Sequence, residues 1–285
     1  MVTETECELS DGRTLHVYDA VLGDAGAGLA VFWHHGTPNT GAPPEPLFPA
    51  AARNGIRWVS YDRPGYGTST ARPGRDVASA AADVAAIADA LGIGRFAVMG
   101  SSGGGPHALA CAALLPDRVL SVVSVSGLAP FGAEGLDWFA GMAPVSVAEL
   151  RAATEGHAAL EHELVSGPEY EPSPFIPADE EALAGTWSWL AGVAGDAIKA
   201  GFGGMIDDDL AFVAPWGFDP ARVTAPVLLM HGGEDRMVPV AHARWLAGRC
   251  PTAELRVFPG EGHISVHNFA ESAVDWLAGH ASSAA

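Results

Sequence analysis

A serine flanked by glycines follows an apolar segment of the sequence. The stretch "VMGSSGGGPHALA" contains the pattern G-x-S-x-G as Gly100, Ser102 and Gly104, whereas the neighbouring Ser101 lacks a glycine on one side. A nucleophilic serine on a sharp strand-to-helix turn needs small neighbours, because larger side chains would collide with the strand and the helix. The spacing therefore predicts a nucleophile elbow at Ser102.

A serine nucleophile also requires a base, an orienting acid and donors for the oxyanion. The segment "HGGEDRMVP" offers Asp235, and "FPGEGHIS" offers His263. The chain order serine, aspartate, histidine is the one expected for an elbow on an α/β sheet. Glu234 is an alternative acid, and His267 and His280 are alternative bases in or near the last helical segment. We favour Asp235 and His263 as the partners of the elbow serine.

Apolar strands alternate with helical segments along most of the chain. A hairpin in "ECELSDGRTLHVYDAVLG" is followed by strands in "GLAVFWHHG", "GIRWVSYDRPGYG", "RFAVMG", "RVLSVVSVSG", "APVLLMHG" and "AELRVFPG". Helical patterns lie between them, as at Val77–Leu91. This alternation predicts a mostly parallel sheet covered on both faces. Its carboxyl edge would gather the serine, the aspartate and the histidine.

The alternation of strands and helices stops in the middle of the chain. We expect a core formed by residues 1–129 and 220–285, interrupted by a mostly helical cap at 130–219. The tail "ASSAA" is expected to lack regular structure. Aromatic side chains often line ligand pockets. The candidate substrate contacts in the cap are Trp138, Trp187, Trp189 and Trp216.

The cap region is also acidic. Residues 130–220 contain 16 Asp or Glu residues against only two basic ones, Arg151 and Lys199. Two interpretations stay open at this point. The acids form a solvated surface, or one or two of them face the pocket and bind a cationic group on the substrate.

Charge and composition exclude several classes of function. The formal net charge is -19, and Lys199 is the only lysine, so binding to nucleic acid or to an anionic membrane is not expected. No apolar run is long enough to span a bilayer, and the N-terminal residues do not resemble a secretion signal. The three cysteines are far apart. We therefore expect a cytoplasmic protein that acts on a small molecule.

Motifs for a metal or a cofactor are missing from the sequence. The acidic run at Asp207–Asp209 lacks the spacing of a calcium loop, and "GYGTST" lacks the third glycine of a dinucleotide fingerprint. We expect neither a metal nor a cofactor.

Several motifs together carry a family resemblance. Besides the elbow, the chain contains "HGTP" at His35–Pro38, "YDRPGYGTS", "HGGEDRMVP" and "GEGH". With these motifs it resembles the α/β-hydrolase fold over nearly its whole length. The resemblance implies an eight-stranded, mostly parallel sheet with a helical cap. It also implies an oxyanion hole formed by the backbone amides of Thr37 and Gly103.

The same resemblance implies a serine hydrolase that cleaves a carboxylic ester through an acyl-enzyme, without a cofactor. Three alternatives remain open. A proline-iminopeptidase-like aminopeptidase would use the same triad, but "HHGTPNTG" and "GSSGGG" depart from that family's HGGPG and GGSWG. A cofactor-free perhydrolase or haloperoxidase would share the residues, and so would a non-catalytic ligand receptor on this fold.

Overall fold

The central element of the molecule is a single mixed β-sheet. The computed structural model describes residues 1–22, 28–169 and 173–282. In these ranges the sheet has eight strands. They are β1 (Val2–Glu8), β2 (Thr14–Val21), β3 (Leu29–His34), β4 (Ile56–Tyr61), β5 (Phe96–Ser101), β6 (Val119–Val125), β7 (Val227–Gly232) and β8 (Ala253–Phe258).

The spatial order of the strands is β1-β2-β4-β3-β5-β6-β7-β8. The pairs β1–β2 and β2–β4 are antiparallel, and every other neighbouring pair is parallel. The expected fold class, an eight-stranded and mostly parallel α/β sheet, is confirmed. The last six strands therefore share one carboxyl edge, at which loops from different parts of the chain meet.

Helices cover both faces of the sheet. In the described residues they are α1 (Phe48–Arg53), α2 (Ser79–Ala90), α3 (Gly104–Leu114), α4 (Pro144–Glu155), α5 (His157–Ser166), α6 (Pro177–Ala184), α7 (Ser188–Lys199), α8 (Gly203–Val213), α9 (Ala241–Arg249) and α10 (Ala270–Ser282). Alternate strand residues enter different apolar clusters: Phe32 and Val98 on one face, Trp33 and Met99 on the other. Burial on both faces explains why these strands are continuously apolar.

Five helices, α4 to α8, lie between β6 and β7. They pack on the rest of the molecule through apolar side chains, with Leu190 of α7 joining the cluster that contains Met99. Phe212 of α8 joins a separate cluster with Val238. These helices therefore pack on the rest of the molecule through two separate apolar clusters.

The last helix of the chain is longer than the sequence indicated. Helix α10 extends to Ser282, into the tail that was expected to lack structure, and residues 283–285 lie outside the described ranges. None of the helices within those ranges combines the length and the apolar character that crossing a bilayer requires.

Candidate active site

Ser102 lies on the turn that joins β5 to α3. Its φ angle is 51°, in the left-handed region that non-glycine residues rarely adopt. A Cβ atom at Gly100 would collide with the backbone of Gly104, and one at Gly104 would collide with the carbonyl of His34. The two glycines therefore let strand and helix approach closely enough to hold the serine in this strained conformation.

The structure brings Ser102, His263 and Asp235 together. Nε2 of His263 lies 3.0 Å from Oγ of Ser102, and Nδ1 of His263 lies 2.8 Å from Oδ2 of Asp235. Asp235 follows β7 and His263 follows β8, so three loops at one sheet edge supply the three groups. This arrangement matches the hydrogen-bond chain of a serine nucleophile, its base and an orienting acid.

The Asp235 carboxylate is fixed by further hydrogen bonds. Its Oδ1 atom accepts hydrogen bonds from the backbone N–H groups of Met237 at 2.9 Å and Val238 at 2.8 Å. Burial alone would raise the pKa of Asp235, but the charge of His263 and hydrogen bonds from His231 and His263 hold it well below its usual range. Asp235 therefore stays ionised.

His263 is almost completely buried beside this carboxylate. Burial alone would lower the pKa of His263, but the charge and the hydrogen bond of Asp235 outweigh it and raise the pKa above the ordinary 6.5. The neighbouring acid Glu234, the alternative considered from sequence, is exposed to solvent. The hydrogen-bond chain thus runs through Asp235.

A carboxylate from the inserted helices supports the loop that contains His263. Oδ1 of Asp179, on α6, accepts hydrogen bonds from the backbone N–H groups of Ile264 at 2.9 Å and Ser265 at 2.8 Å. Asp179 is fully buried, and its charge also raises the pKa of His263. Sequence reasoning missed this residue, and its position in an acidic run gave no local signal.

The amides of Thr37 and Gly103 lie beside Ser102. Gly103 stands at the N-terminal end of α3, where the helix dipole favours negative charge. A Cβ atom at Gly103 would collide with the side chain of Thr37, so the two loops are in close contact. Neither amide donates a hydrogen bond within the described residues. Both are therefore available to an oxyanion.

A buried ion pair holds the Thr37 loop in place. The Arg63 guanidinium donates to the carbonyl of Gly36 at 3.1 Å and to Oδ2 of Asp208 at 2.6 Å. The Thr37 hydroxyl donates to the same Asp208 oxygen at 2.7 Å. Burial alone would raise the pKa of Asp208, but the charges of Arg63 and Arg75 hold it well below its usual range. Arg63 comes from "YDRPGYGTS", which gives that motif a physical role.

A second serine–histidine pair lies next to the first. Oγ of Ser101 is 2.7 Å from Nε2 of His267, whose Nδ1 is 3.0 Å from the carbonyl of Ile264. Because the protonated Nδ1 donates to a carbonyl, Nε2 is unprotonated and accepts a hydrogen bond from the Ser101 hydroxyl. The sequence did not predict this pair.

Two cavities meet at Ser102, Thr37 and Met237, which line both of them. The larger has a volume of about 280 Å³ and also contains His263 and His267. Its apolar wall consists of Phe175, Leu183, Leu190, Ala191, Ala194 and Ile264. The smaller has a volume of about 180 Å³. Its apolar wall consists of Leu128, Val145, Leu150, Phe212 and Val238.

The smaller cavity also contains two carboxyl groups, Glu149 from α4 and Asp209 from α8, together with Ser102 and Gly103. From the sequence, Glu149 was noticed only through the acidic bias of the region, and Asp209 only as part of the Asp207–Asp209 run that lacks the spacing of a calcium loop. Within the described ranges no three His, Cys, Asp or Glu side chains are grouped as metal ligands would be.

The four tryptophans do not line either cavity. Trp138, Trp187 and Trp216 are buried in apolar clusters, and the indole of Trp138 donates to the carbonyl of Ala129 at 2.8 Å. Trp189 lines a separate surface depression beside Tyr18. As the largest apolar side chains of the region, they contribute to packing. The apolar walls of the cavities are built from aliphatic side chains together with Phe175 and Phe212.

Comparison with known proteins places this geometry in a family. A model of the alpha/beta hydrolase fold matches residues 30–270. A non-heme chloroperoxidase from Streptomyces lividans is 32% identical over 90% of this chain and 93% of its own length. A bifunctional esterase/perhydrolase from Acinetobacter calcoaceticus is 29% identical over 73% of this chain and 75% of its own.

Solved structures show the same fold at lower sequence identity. An enol-lactonase from Burkholderia xenovorans LB400 has a TM-score of 0.71 at 22% identity, covering 98% of this chain and 100% of its own. An esterase from Thermogutta terrifontis has a TM-score of 0.69 at 19% identity, covering 98% and 99%. The chain belongs to the alpha/beta hydrolase fold family and is a hydrolase enzyme, as its motifs predicted.

Proposed function

We propose that the protein hydrolyses small carboxylic esters through an acyl-enzyme formed on Ser102. The observation that supports this most strongly is the Asp235–His263–Ser102 hydrogen-bond chain, which ends at the junction of two cavities. Neutral His263 takes the Ser102 proton as Oγ attacks the ester carbonyl carbon. Asp235 keeps the proton of His263 on Nδ1 and stabilises the imidazolium that forms.

The developing oxyanion is stabilised by backbone donors. The free amides of Thr37 and Gly103 would bind it, and the Arg63–Asp208 ion pair keeps the Thr37 loop in position. Losing one such donor typically costs about 10²–10³ in rate. Since both donors are backbone groups, the conformation of the loop matters more than the identity of Thr37.

The two cavities would hold different parts of the substrate. His263 must return its proton to the leaving oxygen, so the alcohol part lies on the side that His263 lines, which is the larger apolar cavity. The acyl part then lies in the smaller cavity, beside Gly103. Helices α4 to α8 supply much of both walls, so we assign them the role of a cap that sets specificity.

Deacylation repeats the proton transfers with water. His263 removes a proton from water, whose oxygen attacks the acyl carbon, and the bond to Oγ breaks as the proton returns to Ser102.

A perhydrolase activity is the second candidate, because two relatives are named non-heme chloroperoxidase and bifunctional esterase/perhydrolase. Here hydrogen peroxide would replace water: its oxygen bonds to the acyl carbon, the bond to Oγ breaks, and a peroxide proton passes through His263 to Ser102. The products are a peracid and the free enzyme, so no further oxidant is needed.

The test is a panel of acyl esters with different alcohols, assayed with and without hydroxylamine as a competing nucleophile. An acyl-enzyme predicts a ratio of hydroxamate to acid that is independent of the alcohol, with no turnover by Ser102→Ala. Absence of turnover across the panel, or full activity of Ser102→Ala, would refute the proposal. Peracid formation from acetate and hydrogen peroxide, measured alongside, decides whether the second activity is present.

A further inference from the structure

The smaller cavity combines apolar walls with a pair of acids. Glu149 and Asp209 line the cavity together with Ser102, and each carboxyl group shifts the pKa of the other. Asp209 is 2% exposed, and within the described residues its Oδ2 atom has no hydrogen-bond partner. A buried carboxyl oxygen without a partner is costly to the fold. An acceptor without a partner, in a residue that lines the same cavity as Ser102, points to a donor that arrives with the substrate.

No cationic side chain neutralises this pair within the described ranges. The guanidinium of Arg75, which acts on Asp209 from a distance, lies 2.7 Å from Oδ1 of Asp208 and is engaged there. The other charged groups facing the pair are Glu163, which acts on Glu149, and Asp208, which acts on Asp209. Asp208 is itself paired with Arg63 and Arg75, so in this part of the described structure the carboxyl groups left without a cationic partner are those of Glu149 and Asp209.

We propose that Glu149 and Asp209 form the binding site for a protonated amine carried by the acyl part of the substrate. The assignment to the acyl part rests on the proposed function, since the alcohol part must lie on the His263 side, in the other cavity. The amine donates to the carboxyl groups of Glu149 and Asp209. The preferred substrates are thus small esters of amino-substituted carboxylic acids.

The protonation of the pair gives the proposal a second readout. Burial raises the pKa of Glu149 to about 7, and burial with the charge of Glu149 raises that of Asp209 as well. Ionised carboxylates bind an ammonium group better than protonated ones. For amines that stay protonated near neutral pH, as in the esters of β-alanine and 4-aminobutyrate, the preference should therefore increase as the pH rises through about 7. The α-amine of the alanine ester loses its own proton in this range and is left out of the pH comparison. A ratio of two substrates cancels the titration of His263, which both of them require.

The experiment compares three benzyl esters with their neutral isosteres: alanine with isobutyrate, β-alanine with butyrate, and 4-aminobutyrate with valerate. We expect kcat/KM to favour at least one amine by about tenfold or more. In Glu149→Gln and Asp209→Asn the ratio of the kcat/KM values for the amine-bearing and neutral esters should fall towards one. Glu155→Gln is the matched control, because Glu155 lies exposed on the same helix α4. A binding measurement with the inactive Ser102→Ala and β-alanine benzyl ester should show the same dependence on Glu149.

The outcomes separate this inference from the proposed function. If no ester of either series is hydrolysed, the proposed function fails. If the neutral esters are hydrolysed by a Ser102-dependent route but no amine is preferred, only the amine site is refuted. Equal losses for both series in Glu149→Gln would likewise refute it, because the pair would then support the fold rather than select the substrate. For the β-alanine and 4-aminobutyrate esters, a preference that does not change between pH 6 and 8 would contradict binding by ionised carboxylates.

Discussion

Two serine–histidine pairs lie side by side at the carboxyl end of β5. Ser102 is 3.0 Å from Nε2 of His263, and Ser101 is 2.7 Å from Nε2 of His267. All four residues line the larger cavity. By hydrogen-bond distance alone the second pair would be the better candidate, so distance does not distinguish a nucleophile from a structural serine.

The two pairs differ in a third partner, which is the group that faces Nδ1 of each histidine. Nδ1 of His263 faces the carboxylate of Asp235, whereas Nδ1 of His267 faces the carbonyl of Ile264. The carboxylate raises the pKa of His263, whereas burial lowers the pKa of His267 to about 4. Only His263 can therefore accept a proton at moderate cost and hold it.

The largest contrast is expected from removing each hydroxyl in turn. Ser102→Ala should lower kcat by about 10⁴ or more, because the nucleophile is lost. Ser101→Ala should keep kcat close to wild type, but it leaves Nε2 of the buried His267 unpaired and should cost about 1–3 kcal/mol of stability. Steady-state kinetics and thermal denaturation check both variants. A dead Ser101→Ala with an active Ser102→Ala would reverse the assignment of the two pairs.

Removing the charge of Asp235 should make the Ser102–His263 pair behave like the Ser101–His267 pair. Asp235→Asn keeps the shape but no longer stabilises the imidazolium, so kcat should fall by about 10⁴ while KM changes far less. Glu234→Gln is the neighbouring control and should leave kcat unchanged, since Glu234 is exposed. Near-normal kcat in Asp235→Asn would mean that the acid lies elsewhere.

The pH profile tests the two imidazoles against each other. Activity requires neutral His263, so kcat/KM should fall about tenfold per pH unit below its pKa. Because that pKa is raised, the midpoint of the fall should lie above 6.5, at the acid side of the profile. A midpoint near 4 would instead assign the base to His267, whose pKa is about 4.

A smaller effect is expected at Asp179, which orients the loop of His263. In the protein, Oδ2 of Asp179 accepts a hydrogen bond from the backbone N–H of Ile176 at 3.2 Å. Asp179→Asn removes the charge and can place a side-chain NH₂ group against this donor. We expect kcat to fall by about tenfold through misplacement of His263. The acid midpoint should also move to lower pH, since Asp179 raises the pKa of His263. A loss of stability without any shift of the midpoint would show a purely structural role.

Much of the candidate site was predictable because it depends on local chemistry. Glycines are required around Ser102 because a Cβ atom there would collide with the backbone of the turn or of the neighbouring strand β3. Asp235 and His263 follow strands that are recognisable from their apolar character. The parallel sheet follows from the same alternation. These features need no knowledge of which side chains meet across the cap.

The residues that sequence reasoning missed all act across long distances in the chain. Asp179 bonds to Ile264, 85 residues further on, and Asp208 bonds to Thr37 across 171 residues. The acidic bias of the inserted helices was visible, but not which carboxyls face Ser102. The tryptophans were chosen as pocket residues by type, whereas their size placed them in the packed clusters.

Covalent labelling with a fluorophosphonate tests the central claim most directly. The reagent reacts with an activated serine, and the peptide of residues 96–118 contains both Ser101 and Ser102. Tandem mass spectrometry should place one phosphonyl group per chain on Ser102. The label should be absent in Ser102→Ala and strongly slowed in Asp235→Asn. A label on Ser101, or an unlabelled wild-type protein, would contradict the assignment of Ser102 as the nucleophile.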